Sequence, residues 1–506
     1  MTDQKIGFDN EKYLKEQSKS ILDRAAQFGN KLYLEFGGKL VYDYHASRVL
    51  PGFDPNVKMK LLKVLKDKIE VIICIYSGDI ERRKIRADFG ITYDINALKL
   101  IDDLRDGQIC VSGVVVTRFN GQQVVKQFMN KLERRNIKVY THRLIRGYPT
   151  NIDLIISEEG YGANSYIETS KPIIIVTAPG PGSGKLATCL SQLYHEHIRG
   201  IDAGYAKFET FPIWNLPLKH PVNMAYESAT ADLGDFNQVD PFHLEAYNIK
   251  AVNYNRDVEI FPVVKKIMQR IMDSRLVYKS PTDLGVNKAG FAIINDNLVQ
   301  QAAKQELIRR YLRYSCEYAM GFSDKMTVQR AELLMKELNL TVHDRKVVNE
   351  ARQASIAAKK KGKGNEGVFA GAALQLVNGK IMTGSNSPLM HAASSLILNT
   401  IKELAGIPKN IHLLSPHILE SISYLKSEIF NNKRLSLNLE ETLIALSISA
   451  DFNHSAKVAI DKLKELSGCE MHSTHIPTPG DEAGLRRLGL NITSDPNFSS
   501  KSLFIT

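Results

Sequence analysis

Short runs of aliphatic and β-branched residues alternate, along the N-terminal part of the chain, with stretches in which apolar side chains recur every three or four positions. A continuous apolar run marks a buried strand, and a period near 3.6 marks a helix. Residues 11–29 read as an amphipathic helix and 31–38 as the first strand with its turn. Further strands are expected at 69–76, 111–117, 137–141, 153–157 and 173–176, separated by helical stretches such as 57–68 and 122–135. Repeated strand–helix units predict an α/β fold with a doubly wound, mostly parallel sheet, whose ligands bind beyond the carboxyl ends of the strands.

The pattern then changes. Residues 256–272, 296–320 and 325–338 are helical by length and spacing, which predicts a helical layer over about 205–340 closing a first domain, 1–340. A second, smaller α/β domain is expected over 341–506. It opens with a hairpin signal, 370–377 and 380–383 around Asn378-Gly379. A helix to Leu404 follows, with Ser387 as its cap and Pro388 at its first position. Helices at 439–450 and 455–466 and a strand at 469–476 complete it.

The sixth strand of the first domain runs into Ala178-Pro-Gly-Pro-Gly-Ser-Gly-Lys185, after which Leu186, Leu190 and Leu193 form one helical stripe. Glycines there let the backbone wrap closely round an anion at a helix N-terminus, and Lys185 adds a positive charge. The stretch resembles the phosphate-binding loop G-x-x-x-x-G-K-[ST]. Pro179 stands where that loop has its first glycine, and Leu186 where it has the magnesium-holding hydroxyl; Thr188 is the next hydroxyl. The expected phosphate-binding residues are Gly180, Gly182, Ser183, Gly184, Lys185 and Thr188. The alternative is a glycine-rich connection that only lets strand and helix pack closely. Asp79, Arg118, Arg143 and Glu158 follow other strands and are expected to face the same crevice. The polar, aromatic stretch 42–55 reads as a working loop, and its Asp43, His45 and Arg48 join Lys185 as catalytic candidates, since His beside Asp offers acid–base chemistry near neutral pH. A self-capped surface turn is the other reading of that stretch.

Several longer segments carry a family resemblance. Leu34-Glu-Phe-Gly-Gly, Asp43-Tyr-His-Ala-Ser-Arg-Val-Leu-Pro-Gly-Phe-Asp-Pro, Ala225-Tyr-Glu-Ser-Ala-Thr-Ala-Asp-Leu-Gly-Asp and Asn386-Ser-Pro-Leu-Met-His-Ala-Ala resemble a family of bacterial proteins of about this length, known as a domain of unknown function. That resemblance implies no activity. The hairpin and the histidine near a helix start also resemble the zinc nucleoside deaminases, but His391-Ala-Ala lacks the glutamate of H-x-E and Cys469 stands alone, so zinc deamination is excluded. His472 and His475, three apart on a strand, would face opposite sides and share no metal.

Composition narrows the classes further. At 506 residues the chain exceeds one core, and 43% hydrophobic with 24% charged residues is ordinary for a folded globular protein. Net charge is +11, scattered apart from Lys359–Lys363, which favours anionic small molecules over nucleic acid as partners. Five cysteines without a C-x-x-C pair, an N-terminus without an apolar stretch and no long apolar run predict a cytoplasmic protein with no membrane partner and no protein-held metal. Residues 205–262, dense in aromatic and polar side chains, suit either a substrate-recognition segment or a subunit interface, and a homo-oligomer is expected. The functional expectation is an enzyme acting on a nucleotide or phosphorylated metabolite, by phosphoryl transfer or phosphate-anchored ligase or synthase chemistry, with a nucleotide cofactor, with or without magnesium. The rival is a non-catalytic nucleotide-sensing or assembly protein.

Overall fold

A computed structural model describes residues 6–29, 31–86, 91–272, 277–432 and 434–500. It divides into two compact units, Met1–Lys304 and Gln305–Thr506, with the dividing line inside the helix Asp296–Ala319.

The sheet of the first unit contains β1 (Leu32–Phe36), β2 (Ile69–Tyr76), β3 (Val111–Thr117), β4 (Val139–His142), β5 (Ile173–Thr177) and β6 (Gly204–Phe208). Their order is β4-β3-β2-β5-β1-β6, and every pairing is parallel. β1, β2 and β5 are covered on both faces, which is why they read as near-continuous apolar runs, interrupted only by Glu35 and Glu70, rather than alternating ones. β5 is central: Ile173 stands beside Leu32 on one side and Ile69 on the other. Its start is tied to β2 by buried Glu70, which accepts the backbone N–H groups of Ser170 and Lys171 and the Ser112 hydroxyl.

Three helices matter for the site in this unit: α1 (Tyr44–Val49), α2 (Lys185–Ile198) and α3 (Asn255–Met272). Two short strands, β7 (Asn237–Val239) and β8 (Val252–Tyr254), pair antiparallel before α3. The second unit has a mixed sheet of β9 (Gly371–Gln375), β10 (Ile381–Ser385), β11 (Glu470–Ser473) and β12 (Asn491–Ser494), ordered β10-β9-β11-β12. Against it pack α4 (Ala392–Leu404), α5 (Leu439–Ser449) and α6 (Pro479–Arg487), around a core that includes Leu374, Leu396, Ile397, Leu446 and Leu485.

Four expectations need correction. The strand expected at 153–157 is a helical turn, Ile152–Ile155, because the Asn151 side chain caps it by accepting the Leu154 N–H at 3.0 Å. Conversely, β6 was not expected; Gly-Tyr-Ala-Lys-Phe, at the edge of the sheet, carries too little apolar signal to be read as a strand. The stretch 42–55 is not wholly loop, since α1 lies within it, capped by Asp43. The helix expected from Pro388 starts at Ala392, because the Ser387 hydroxyl instead accepts the N–H groups of Leu389 and Met390 in a separate turn.

Candidate functional site

β5 ends at Thr177, and residues 178–184 cross the carboxyl edge of the sheet before α2 begins at Lys185. A side chain at Gly180 would put its Cβ 2.4 Å from the Tyr93 ring, so the backbone runs where only glycine fits. Gly184 has φ +83° and a Cβ there would meet Thr117, which makes it the turn into the helix. The loop is pinned from β3: the Thr117 hydroxyl donates to the Ser183 carbonyl at 2.8 Å. The Arg118 guanidinium donates to the Gly182 carbonyl and lies 3.7 Å from the centre of the Tyr76 ring. The Ser183 hydroxyl donates to the Gly180 carbonyl. With those carbonyls turned to protein donors, the first N–H groups of α2 have no acceptor within the helix, and such groups at a helix start are ones to which an anion can bind.

Charged groups from β1, β6 and α3 lie next to this helix start. Lys185 Nζ is 4.0 Å from Glu35 Oε1, and Glu35 accepts the Tyr205 hydroxyl at 2.7 Å. Lys207 on β6 is ion-paired with Asp257 of α3 and lies 3.1 Å from Glu209. Burial would pull the Lys207 ammonium down, but Asp257 and Glu209 hold it well above the ordinary lysine value. Burial pushes the Glu209 carboxyl up; Asp257 and Glu35 add to that, against the opposing charges of Lys207 and Lys185. A carboxyl kept protonated beyond its usual range suits general acid–base work.

The other expected residues are distributed as follows. Arg118 joins the loop, as described. Thr188 does not: it is fully buried, its hydroxyl accepting from Cys74 Sγ at 3.4 Å and lying 3.5 Å from His142 Nδ1, so it faces the core rather than a phosphate or metal. Asp43 caps α1 and pairs with Lys58 at 3.0 Å; burial would raise its carboxyl, yet Lys58 holds it below the ordinary value. His45 is buried with its ring 5.3 Å from Tyr226, a phenol raised by burial and by the charges of Glu209 and Asp43. Arg48 is half-buried on α1. Asp79 is buried and ion-paired with Arg82 in the helix after β2. Arg143 is exposed after β4, its N–H bonded to Asn164 Oδ1. Glu158 is exposed and follows a helical turn, so it is not a strand-end residue.

Sequence reasoning missed Glu35, Thr117, Lys207, Glu209 and Asp257. Glu35 and Lys207 each sit inside a strand whose neighbours are apolar, and a lone charge within such a run is the signal that could have found them. The enclosed space at the loop base, beside Gly38, Tyr42, Ala178 and Pro179, is about 20 Å³, room for one water. Among the described residues, no three His, Cys, Asp or Glu side chains are grouped to hold a metal ion, and no helix is long and apolar enough to cross a membrane.

Two family models match nearly the whole chain: "Domain of unknown function DUF1846, N-terminal" over residues 6–339 and "Domain of unknown function DUF1846, C-terminal" over 343–504. The chain is similar to UPF0371 proteins of Clostridium botulinum (strain Eklund 17B / Type B), 58% identical over 500 residues, and of Clostridium tetani (strain Massachusetts / E88), 57% identical over 500 residues. In both cases 99% of each chain is covered.

Proposed function

The chain belongs to the DUF1846 family, and we propose that its N-terminal unit binds the phosphate group of a small metabolite or nucleotide on the backbone of residues 182–185, with Glu209 as the adjoining acid–base group. The observation that carries this reading is the placement of the loop. It leaves the central strand of a parallel sheet, opens a 14-residue helix, and has two cations near the helix start, Arg118 on the Gly182 carbonyl and Lys185 at the first helical position. The space at the loop base admits only water, so the rest of the ligand would lie outward, over β1 and β6. There the Lys207–Glu209–Asp257 group supports chemistry on a phosphate-anchored substrate, phosphoryl transfer first and a ligase or synthase reaction second.

Calorimetric titration of phosphate, a mononucleotide and a sugar phosphate tests the reading. Lys185→Ala is expected to weaken binding by ~1–3 kcal/mol, the range for losing a charged hydrogen bond. Lys185→Met, which keeps the side-chain stem, separates loss of charge from loss of packing. Equal binding by parent and variants refutes the site. Nucleotide turnover abolished by Glu209→Gln, with binding retained, distinguishes an enzyme from a sensing protein.

A further inference from the structure

The C-terminal unit contains a cavity of about 380 Å³, within the range of small-molecule sites. The starts of α4, α5 and α6 all line it, and its wall includes Asn386 and His391, which precede α4. Among the described residues, two ionisable groups there keep capacity for something outside the protein.

The first is His391. Its Nδ1 lies 2.7 Å from Asp481 Oδ2. The Asp481 carboxylate is fixed on all sides: Oδ2 also accepts the Thr478 hydroxyl at 2.8 Å, and Oδ1 accepts the Leu439 N–H at 2.9 Å. A carboxylate that accepts from every neighbour leaves His391 Nδ1 as the donor, so the ring carries its proton there and Nε2 has the free lone pair. Asp481 is 6% exposed, whereas the His391 side chain is 29% exposed and lines the cavity. This is the arrangement by which a carboxylate orients a histidine base.

The second is Arg434. The other cation of the wall, Lys426, is neutralised by Glu441, both of whose oxygens lie 3.0 Å away. Arg434 also lines the cavity, and its guanidinium meets a neutral group, the Ser500 hydroxyl, at 2.5 Å. Among the described residues its neighbour is a hydroxyl rather than a carboxylate, and a half-buried guanidinium so placed suits the bidentate capture of a phosphate or carboxylate.

We infer that the C-terminal unit holds a second small-molecule site, for an anion that also bears a hydroxyl: Arg434 takes the anionic group and His391 Nε2 accepts the hydroxyl hydrogen. The site is separate from the loop of the N-terminal unit and stands or falls independently of it.

The test uses the full chain carrying Lys185→Ala, so that the first site is silenced. Glycerol 3-phosphate and malate, one anion of each kind with a hydroxyl, are titrated by calorimetry, with inorganic phosphate as the probe that lacks the carbon-borne hydroxyl. One of the first two is expected to bind at least tenfold more tightly than phosphate, and which of them does so identifies the anionic group. Arg434→Gln is expected to weaken that binding at least tenfold. His391→Asn, whose amide can still donate to Asp481, is expected to remove the advantage over phosphate while thermal unfolding is unchanged. Absence of binding by both probes, or binding that Arg434→Gln leaves intact, overturns the proposal. Binding lost on Lys185→Ala alone assigns the ligand to the first site and likewise overturns it.

Discussion

His142, the last residue of β4, is 3% exposed, and burial moves its protonation well into the acid range. Its Nε2 lies 3.1 Å from the Ser165 carbonyl and its Nδ1 3.5 Å from the Thr188 hydroxyl, so the neutral ring donates to one and faces the other. Burial lowers its pKa from 6.5 to about 4, with the Ser165 bond opposing and nearby His195 assisting. The folded pKa is the lower one. As pH falls below 6.5 the unfolded chain takes up a proton that the folded chain refuses until about 4. Stability is therefore intact above 6.5 and is lost across that window, by about 3 kcal/mol at roughly 1.4 kcal/mol per tenfold. Trp214, the only tryptophan and a residue of the same unit, reports unfolding in urea by its fluorescence. His142→Gln removes the titration while keeping an amide donor. The parent is expected to lose about 3 kcal/mol more than the variant between about pH 7 and about pH 4. Parallel losses in the two proteins would refute the assignment, because every other titrating group is common to both.

Two further outcomes are expected. Gly204→Ala would drive a Cβ to within 2.0 Å of the Phe28 ring, which is itself buried and stacked on Tyr278, and overpacking of this kind costs about 1–3 kcal/mol; thermal unfolding followed by Trp214 measures it. In the C-terminal unit burial would raise the Asp495 carboxyl, but His472 and Arg352 hold it at about 2 against 3.8. Its contribution is present above 3.8 and is lost as pH falls towards 2; Asp495→Asn should flatten that acid limb by about 2 kcal/mol, read by circular dichroism in urea.

The strands that could be read from sequence are those buried on both faces, because burial demands a continuous apolar run: β2, β3 and β5 announce themselves. β6 did not, since its glycine exists to admit Phe28 and its lysine to meet Asp257 and Glu209, both requirements set by residues far away in the chain. Asp-Leu-Ile-Ile misled for the opposite reason, a strand-like composition overruled by one Asn cap. The glycine loop was legible because its constraint is local, a backbone turning from strand to helix. Its charged surroundings were not, because Glu35, Lys207 and Asp257 come from three elements that only the folded sheet brings together.

The position of β5 also has a consequence for how the chain is made. Both strands that flank β1 lie beyond residue 172, and β2 reaches β1 only through β5. While a ribosome is still synthesising the first hundred and seventy or so residues, β2, β3 and β4 have partners in one another, but β1 has none. The apolar faces and open edges of β1 and β2 must wait for the middle of their own sheet, with loop closures of long range still to come, which slows folding and leaves nascent chains prone to association. Growth of this sheet proceeds from one rim inward, and the same late segment that fills its middle delivers the glycine loop, so the loop cannot take its place before the centre of the sheet does.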